Sequence, residues 1–379
     1  MSSCWIEVNL DAIRHNYRAI KTLVGDATSI IAVIKANAYG HGAIEVSRAL
    51  SGEGASCLAV TRLDEALPLR AAGLLTPILL LTPALPDETE EVVTQNFIAC
   101  VASFEDAQRL SDAAAKQNVT ARAHLKIDTG MGRLGVDYEA AVEIATRIAQ
   151  LPNLSLEAAF THFAFAGEAD PQKTHLQFAR FAPLVQRISS AMDIKPAAFH
   201  CANSAAALRF PSMRLSCIRP GTILYGQFPS TQARESAEQQ RLQLREGFAA
   251  KARVLTIREL KPGQTIGYGG EWKASRLTRI ATLAIGWADG LTMEPHPRTP
   301  QPKAEMQKAA RALLRPNAAN RSVLIGDGRA PIIGRIAMQQ CSIDITELPN
   351  IQIGDAATVS MRRTSAGAHL PRVYVNDAK

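Results

Sequence analysis

Eight short runs rich in Ile, Val and Leu, each followed by a stretch with helical spacing, occupy the chain up to about residue 225, and this alternation constrains the fold more than any other feature. Strands are expected at 30–34, 58–60, 78–81, 98–101, 123–127, 158–161, 198–201 and 216–219. Helices are expected at 43–50, 63–72, 104–116, 138–151 and 175–191. Runs that stay apolar without alternating suit strands buried on both faces, as in parallel sheets joined by crossover helices. Eight such units predict an α/β fold of the (β/α)8 TIM-barrel kind. No G-x-G-x-x-G follows the first run, as a doubly wound dinucleotide fold would require.

Beyond Tyr225 the pattern changes. The stretch STQARESAEQQRLQLREG reads as a polar link, and short β-like runs follow at 252–257, 279–285, 322–324, 331–338 and 357–360. A mainly β C-terminal domain is therefore expected, dividing the chain into 1–240 and 241–379, with a Pro-rich insertion near 295–321 that carries a helix at 303–314.

The 379 residues allow a large core that needs no disulfide or metal. Apolar residues make up 47% and charged residues 20%, which excludes a disordered or fibrous chain. No run approaches the ~20 apolar residues of a membrane span, and MSSCWIEVNLD lacks the basic and apolar regions of a leader. A soluble cytoplasmic protein with no membrane partner is expected. The net charge of +7 comes without a basic block or stripe, so no nucleic-acid partner is expected. The six cysteines form no C-x-x-C pair and read as reduced, mostly buried thiols.

In a barrel of this kind the chemistry sits in the loops after the strands. Those loops carry Lys35, Tyr39 and His41 after the first strand, Lys126, Asp128 and Arg133 around the fifth, His162 after the sixth, His200, Asn203 and Ser204 at the seventh, and Arg219, Gly221 and Thr222 at the eighth. A lysine ending an apolar strand can lose its proton to desolvation and attack an aldehyde; otherwise it is a strand-end lysine reaching solvent. Ser204, Gly221 and Thr222 offer hydroxyls and backbone N–H groups where barrel enzymes hold phosphate. Lysine and phosphate cradle together suit pyridoxal phosphate (PLP), and equally a sugar-phosphate aldolase.

The motifs AVIKANAYGHG, KIDTGMGRLG, THFA, HCANSA, RPGTILYG, GYG, IGWADG and PIIGRIAMQQ, in that order, resemble the alanine racemase family over residues 4 to about 345. The resemblance implies a PLP-dependent barrel followed by a β domain, working as a head-to-tail homodimer on a small amino acid and interconverting L- and D-alanine for peptidoglycan synthesis. It implies that Lys35 bears PLP and is one of two bases, and that Tyr268 of the partner chain is the other. Two bases are needed because a planar carbanion must lose its proton on one face and regain one on the other. Without the other motifs, Tyr268 would read as a half-buried strand tyrosine.

The same resemblance sets Arg219 against the pyridine nitrogen, where a guanidinium keeps that nitrogen unprotonated; position alone also allows a structural arginine. Tyr39, Ser204, Gly221 and Thr222 become phosphate contacts, His162 packs beside the ring, and Asn203 is a further cofactor candidate. Arg133 and Met338 become substrate-binding residues. Lys126 matches a lysine that is often carbamylated in the family, with an ion pair to Asp128 or another acid as the plainer alternative.

Three departures stand out. Gln339 replaces an acid after Met338, Trp287 replaces a tyrosine, and the usual C-terminal phosphate-binding tyrosine is missing; Tyr374 belongs to a different terminal signature. Arg362, Arg363 or Thr364 are candidates for a substitute phosphate contact. A racemase of serine or basic amino acids, a PLP carrier without catalysis, and a fold-related decarboxylase remain as other readings. The complete β domain with Tyr268 and Met338 favours catalysis, and QQCSID does not reproduce the decarboxylase motif.

Overall fold

A computed structural model describes residues 2–192, 199–291 and 322–377. The chain divides into two compact units, one built on Asn9–Gly247 and the other joining the first eight residues to Phe248–Val375. The insertion expected near 295–321, its helix at 303–314 and residue 198 of the seventh expected strand lie outside the described residues.

β1 (Cys4–Asn9) opens the chain. The barrel strands are β2 (Ser29–Val33), β3 (Cys57–Val60), β4 (Ile78–Leu80), β5 (Ile98–Val101) and β6 (Ala121–Asp128), then β8 (Leu154–Phe160), β9 (Phe199–Asn203) and β10 (Cys217–Arg219), with a two-residue β7 (Val136–Asp137) paired to β6. All pair in parallel, and β10 closes the ring on β2 with Cys217 opposite Ser29. The eight expected runs are these eight strands, with ends shifted by up to four residues. Their uninterrupted apolar character follows from burial on both faces: every residue of β3, β4 and β5 is buried.

Four of the described helices, Leu10–Val24, Phe104–Lys116, Ser204–Arg209 and Thr231–Gln239, start where a short polar side chain caps them. Asn9 accepts from Ala12 N at 3.0 Å before the helix Leu10–Val24, whose Ile13, Tyr17 and Ile20 face inward at helical spacing. The segment read as a polar link is different from that expectation. Ser230 caps a helix, Thr231–Gln239, that packs on the helix Ser204–Arg209. Its buried stripe consists of Ala233 and Ala237 alone, too little hydrophobicity to show as an amphipathic pattern.

The second unit is antiparallel. β11 (Phe248–Leu260), β12 (Thr265–Ile266), β13 (Trp272–Lys273), β14 (Thr278–Leu283), β15 (Ser322–Ile325), β16 (Gly328–Ile333), β17 (Cys341–Asp344), β18 (Ala356–Val359) and β19 (Arg372–Val375) follow in order. Pairing of β14 with β11 closes β11, β14, β17, β16, β15 and β18 into a ring around Val254, Leu283, Val323, Ile343 and Val359. β1 pairs antiparallel with β11, Cys4 opposite Ala252, so the first residues belong to this unit and not to the barrel where the sequence reading put them. The run expected as a strand over 331–338 stops at Ile333, because Gly334 turns the chain at φ +67°. All six cysteines are free. No described helix is long and apolar enough to cross a membrane.

Candidate active site

The chain leaves β2 through Lys35 and enters a left-handed turn. Ala36, Asn37, Ala38 and Tyr39 all have φ between +52° and +54°. For residues with a Cβ this conformation costs roughly 1–2 kcal/mol each, so the surroundings must hold it. Ala38 N donates to Ile34 O at 2.8 Å, Gly40 N to Ala36 O at 3.0 Å, and Ala43 N to the Asn37 side-chain oxygen at 2.8 Å. The Glu65 carboxylate accepts from Ala36 N at 2.6 Å. Burial lowers the Lys35 pKa, the Arg133 guanidinium lowers it further, and Glu65 opposes them. Tyr39, at the end of the turn, is pushed up to about 12 by burial and remains a hydroxyl donor.

β6 and β8 supply the next groups. Lys126 is 6% exposed, lies 4.7 Å from the centre of the Phe160 ring, and donates to Leu81 O at 3.5 Å. Burial, with the positive charges of Arg219, Arg133 and Lys35, brings its amine down to about 8. The plainer alternative of an ion pair with Asp128 is not what forms. Residues two apart in a strand point to one face, but the Asp128 carboxylate turns into the following loop and accepts from Gly130 N, Met131 N and Gly132 N, each at 2.8 Å. Arg133 follows on that loop with its side chain exposed. His162, after β8, is driven to about 3 chiefly by burial and then by Arg219, Lys126, Lys35 and Arg133, so its imidazole is neutral.

Arg219 ends β10 and is 4% exposed. Its guanidinium donates to Thr161 O at 2.6 Å, to His200 O at 2.9 Å and to His200 Nδ1 at 2.6 Å. Burial lowers its pKa to about 10, still cationic at neutral pH.

The loops after β9 and β10 form a polar cradle. Ser204 Oγ accepts from Gly221 N at 2.9 Å. A Cβ on Gly221 would fall 2.3 Å from the Tyr39 hydroxyl, so only glycine lets the tyrosine reach the backbone here. The Thr222 hydroxyl is buried without a hydrogen-bond partner among the described residues. A buried orphan donor beside Ser204, Gly221 and Tyr39 matches the need of an anionic ligand's oxygens. Asn203 is committed elsewhere: it caps Ala206 N at 3.0 Å and donates to Phe163 O at 3.2 Å.

Tyr268 and Met338 belong to the second unit. Tyr268 sits between β12 and β13 among glycines at positive φ, is 72% exposed, and borders a cavity of about 380 Å³ with Ile266, Arg335 and Ala337. Arg335, from the turn after β16, pairs with Glu271 of this hairpin. Met338 is 57% exposed and Trp287 is 50% exposed. Their turns are joined, because Trp287 N donates to Ala337 O at 3.1 Å and Ala288 N to Met338 O at 2.9 Å. Gly286 is required there, since a Cβ would meet Ala337 O at 2.3 Å. Gln339 is exposed; of the candidate substitutes, Arg363 is buried, while Arg362 and Thr364 are exposed. Tyr374 lies on β19 at the sheet edge.

Sequence reasoning missed Glu65, whose only local signal is an acid in the first turn of the helix Leu63–Ala71, and assigned no role to His200 within HCANSA. It also missed Gln177, buried on the helix Gln172–Met192, which accepts from Ala164 N at 2.9 Å and donates to His162 O at 3.4 Å.

Residues 8–229 match the family description "Alanine racemase, N-terminal domain" and residues 248–370 match "Alanine racemase, C-terminal domain". The alanine racemase of Desulforamulus reducens is 38% identical over 369 residues, covering 97% of this chain and 91% of that protein. The structure of alanine racemase from Clostridium difficile 630 superposes with a TM-score of 0.88 at 30% identity, covering 100% of this chain and 97% of the other. That of Bacillus anthracis alanine racemase with bound L-Ala-P gives 0.83 at 28% identity, covering 100% and 96%. With both family domains matched in order on a parallel barrel and a β unit, the chain belongs to the alanine racemase family, a family of isomerases.

Proposed function

We propose that the protein racemises alanine by a two-base mechanism with PLP held on Lys35. The observation that carries the reading is the pairing of a desolvated lysine with an anion cradle at the same barrel mouth. The residues present fit the cofactor: the orphan Thr222 hydroxyl, the Gly221 backbone, Ser204 and Tyr39 suit its phosphate, and the Lys35 amine is the side chain able to join its aldehyde. Bound in this way, PLP supplies the electron sink that acidifies the α-carbon proton of an amino acid.

The remaining work falls to the chain. Arg219, a donor that stays charged, would hold the ring nitrogen and keep it unprotonated, which would limit the sink and suppress side reactions. Neutral His162 would pack at the ring without adding charge. Arg133 holds the substrate carboxylate, with the Met338 backbone of a second copy on its other side. Lys126, if carbamylated, orients Arg133. Lys35 takes or returns the proton on one face and Tyr268 of the second copy serves the other. The exposure of Tyr268, Met338 and Trp287 within one chain supports their being lent to a partner in a homodimer. The product, D-alanine, serves peptidoglycan synthesis in a bacterial cytoplasm.

One observation favours broader specificity. Trp287, half exposed beside Met338, replaces the family's tyrosine and alters the approach to the substrate, so serine and basic amino acids enter the test. PLP-loaded protein is incubated in D2O with L-alanine, L-serine or L-lysine, with α-proton exchange read by NMR and the product by chiral chromatography. Fastest exchange and racemisation of alanine supports the reading. Faster turnover of serine or lysine replaces the substrate, and exchange of none of them defeats it.

A further inference from the structure

We propose that Glu65 is a positioning residue that clamps the strained turn behind Lys35 and so sets the lysine for cofactor capture, an inference that rests on Lys35 being the PLP lysine. The carboxylate divides its two oxygens between neighbouring barrel loops. Oε1 accepts from Ala36 N at 2.6 Å, in the turn after β2. Oε2 accepts from Thr61 N at 2.8 Å and Arg62 N at 3.3 Å, in the turn after β3.

Ala36 is both the residue after Lys35 and the first of four left-handed residues. Rotation of the Lys35–Ala36 peptide would swing the lysine stem away from the barrel mouth. The backbone bonds of the turn run from Ala38 N and Gly40 N, while Ala36 N is held by the Glu65 carboxylate, so this external acceptor opposes that rotation directly. The charge of the same carboxylate also raises the Lys35 pKa against burial and Arg133. Asp64, one residue earlier, does neither: it pairs with Arg62 at 3.0 Å on the surface.

The full-length protein is stripped of cofactor and reloaded with PLP, and attachment to Lys35 is followed by absorbance across pH, with the thermal midpoint of the apo form as a folding check. Three variants are compared. Glu65→Asp keeps charge and helix cap but loses one methylene of reach; it folds with a Tm within a few degrees of wild type and attaches PLP about tenfold more slowly, the effect of roughly 1.4 kcal/mol. Glu65→Gln is also slow, and its pH midpoint moves lower because a charge that raised the lysine is gone. Asp64→Asn matches wild type in rate and midpoint.

If folded Glu65→Asp and Glu65→Gln both attach PLP at the wild-type rate and midpoint, the clamp is overturned and Glu65 is only a helix cap. Should Glu65→Gln not fold, Glu65→Asp alone decides by the same criterion. Failure of the wild-type protein to take PLP on Lys35 overturns the cofactor reading itself, and the clamp with it.

Discussion

Arg219 donates through Nη1 to Nδ1 of His200 at 2.6 Å, and both side chains are buried. A guanidinium has only donors, so His200 Nδ1 carries no proton and the ring is protonated on Nε2. That nitrogen meets Nδ1 of His124 at 3.1 Å, which makes His124 an acceptor there in turn. One cation thus sets the tautomers of two neutral imidazoles, and they in turn fix the plane of the guanidinium that is proposed to face the cofactor.

Acid stability follows from this arrangement. Burial and the nearby cations take His124 to about 3 and His200 well below the ordinary 6.5. In the unfolded chain both take protons near 6.5, so the folded state binds fewer protons and loses stability as pH falls below 6.5, continuing to about 3 for His124. The slope is about 1.4 kcal/mol per pH unit for each histidine. The urea midpoint is expected to fall between pH 7 and pH 5; His162, also held at about 3, adds to the fall, so His124→Gln, which keeps an acceptor but cannot titrate, flattens it by about a third. An unchanged slope in the variant removes His124 from the account.

Thr222→Val separates ligand binding from folding. Its hydroxyl is buried without a partner among the described residues, so removing it relieves a desolvated group and leaves the Tm of the cofactor-free protein unchanged or higher. A hydrogen bond to a charged phosphate is worth about 1.5–3 kcal/mol, so PLP binding weakens about 10- to 100-fold. Equilibrium dialysis against PLP checks it. Equal affinity in wild type and variant rules out the threonine as a phosphate contact.

Lys126 is chemically ready for carbamylation. At pH 8 about half of an amine with pKa about 8 is neutral, and only the neutral form attacks CO2. Native mass spectrometry in bicarbonate is expected to show one added CO2, absent from Lys126→Ala. The variant loses about 10- to 100-fold in turnover, the effect of a misplaced Arg133, with KM for alanine rising as well. A single unmodified mass under high bicarbonate argues for a plain lysine.

Tyr268→Phe tests the second base. The ring is 72% exposed and its loop is held by glycines and the Arg335–Glu271 pair, so Tm stays put. Racemisation falls by about 10² to 10⁴. With one base left, α-proton exchange in D2O persists for one enantiomer and is lost for the other. Equal loss for both enantiomers would assign the tyrosine to substrate binding.

Much of the barrel was legible because its signal is local. Ile30–Val33, Cys57–Val60 and Ile98–Val101 are apolar at every position, and only burial on both faces makes such runs favourable. The motifs at the ends of the barrel strands carry Lys35, Lys126, Arg133, His162, Ser204, Arg219, Gly221 and Thr222, since a strand end specifies where its next residues emerge. The helix Thr231–Gln239 escaped notice because two alanines suffice to bury its inner face.

Chemistry in the amino-acid order therefore reached as far as element type and the identity of the groups at each strand end. Folding decided the rest through contacts distant along the chain. β1 joined β11, some 240 residues later, because strand pairing depends on register and available edges and not on local composition. Asp128 turned from its lysine neighbour to three backbone N–H groups, because a loop with unpaired donors holds a carboxylate more firmly than a cation at the next inward position. The four left-handed residues after Lys35 are held by backbone bonds within the turn, by the Asn37 side chain and by Glu65 from the next loop, and that last bond exists only once the two loops are brought together.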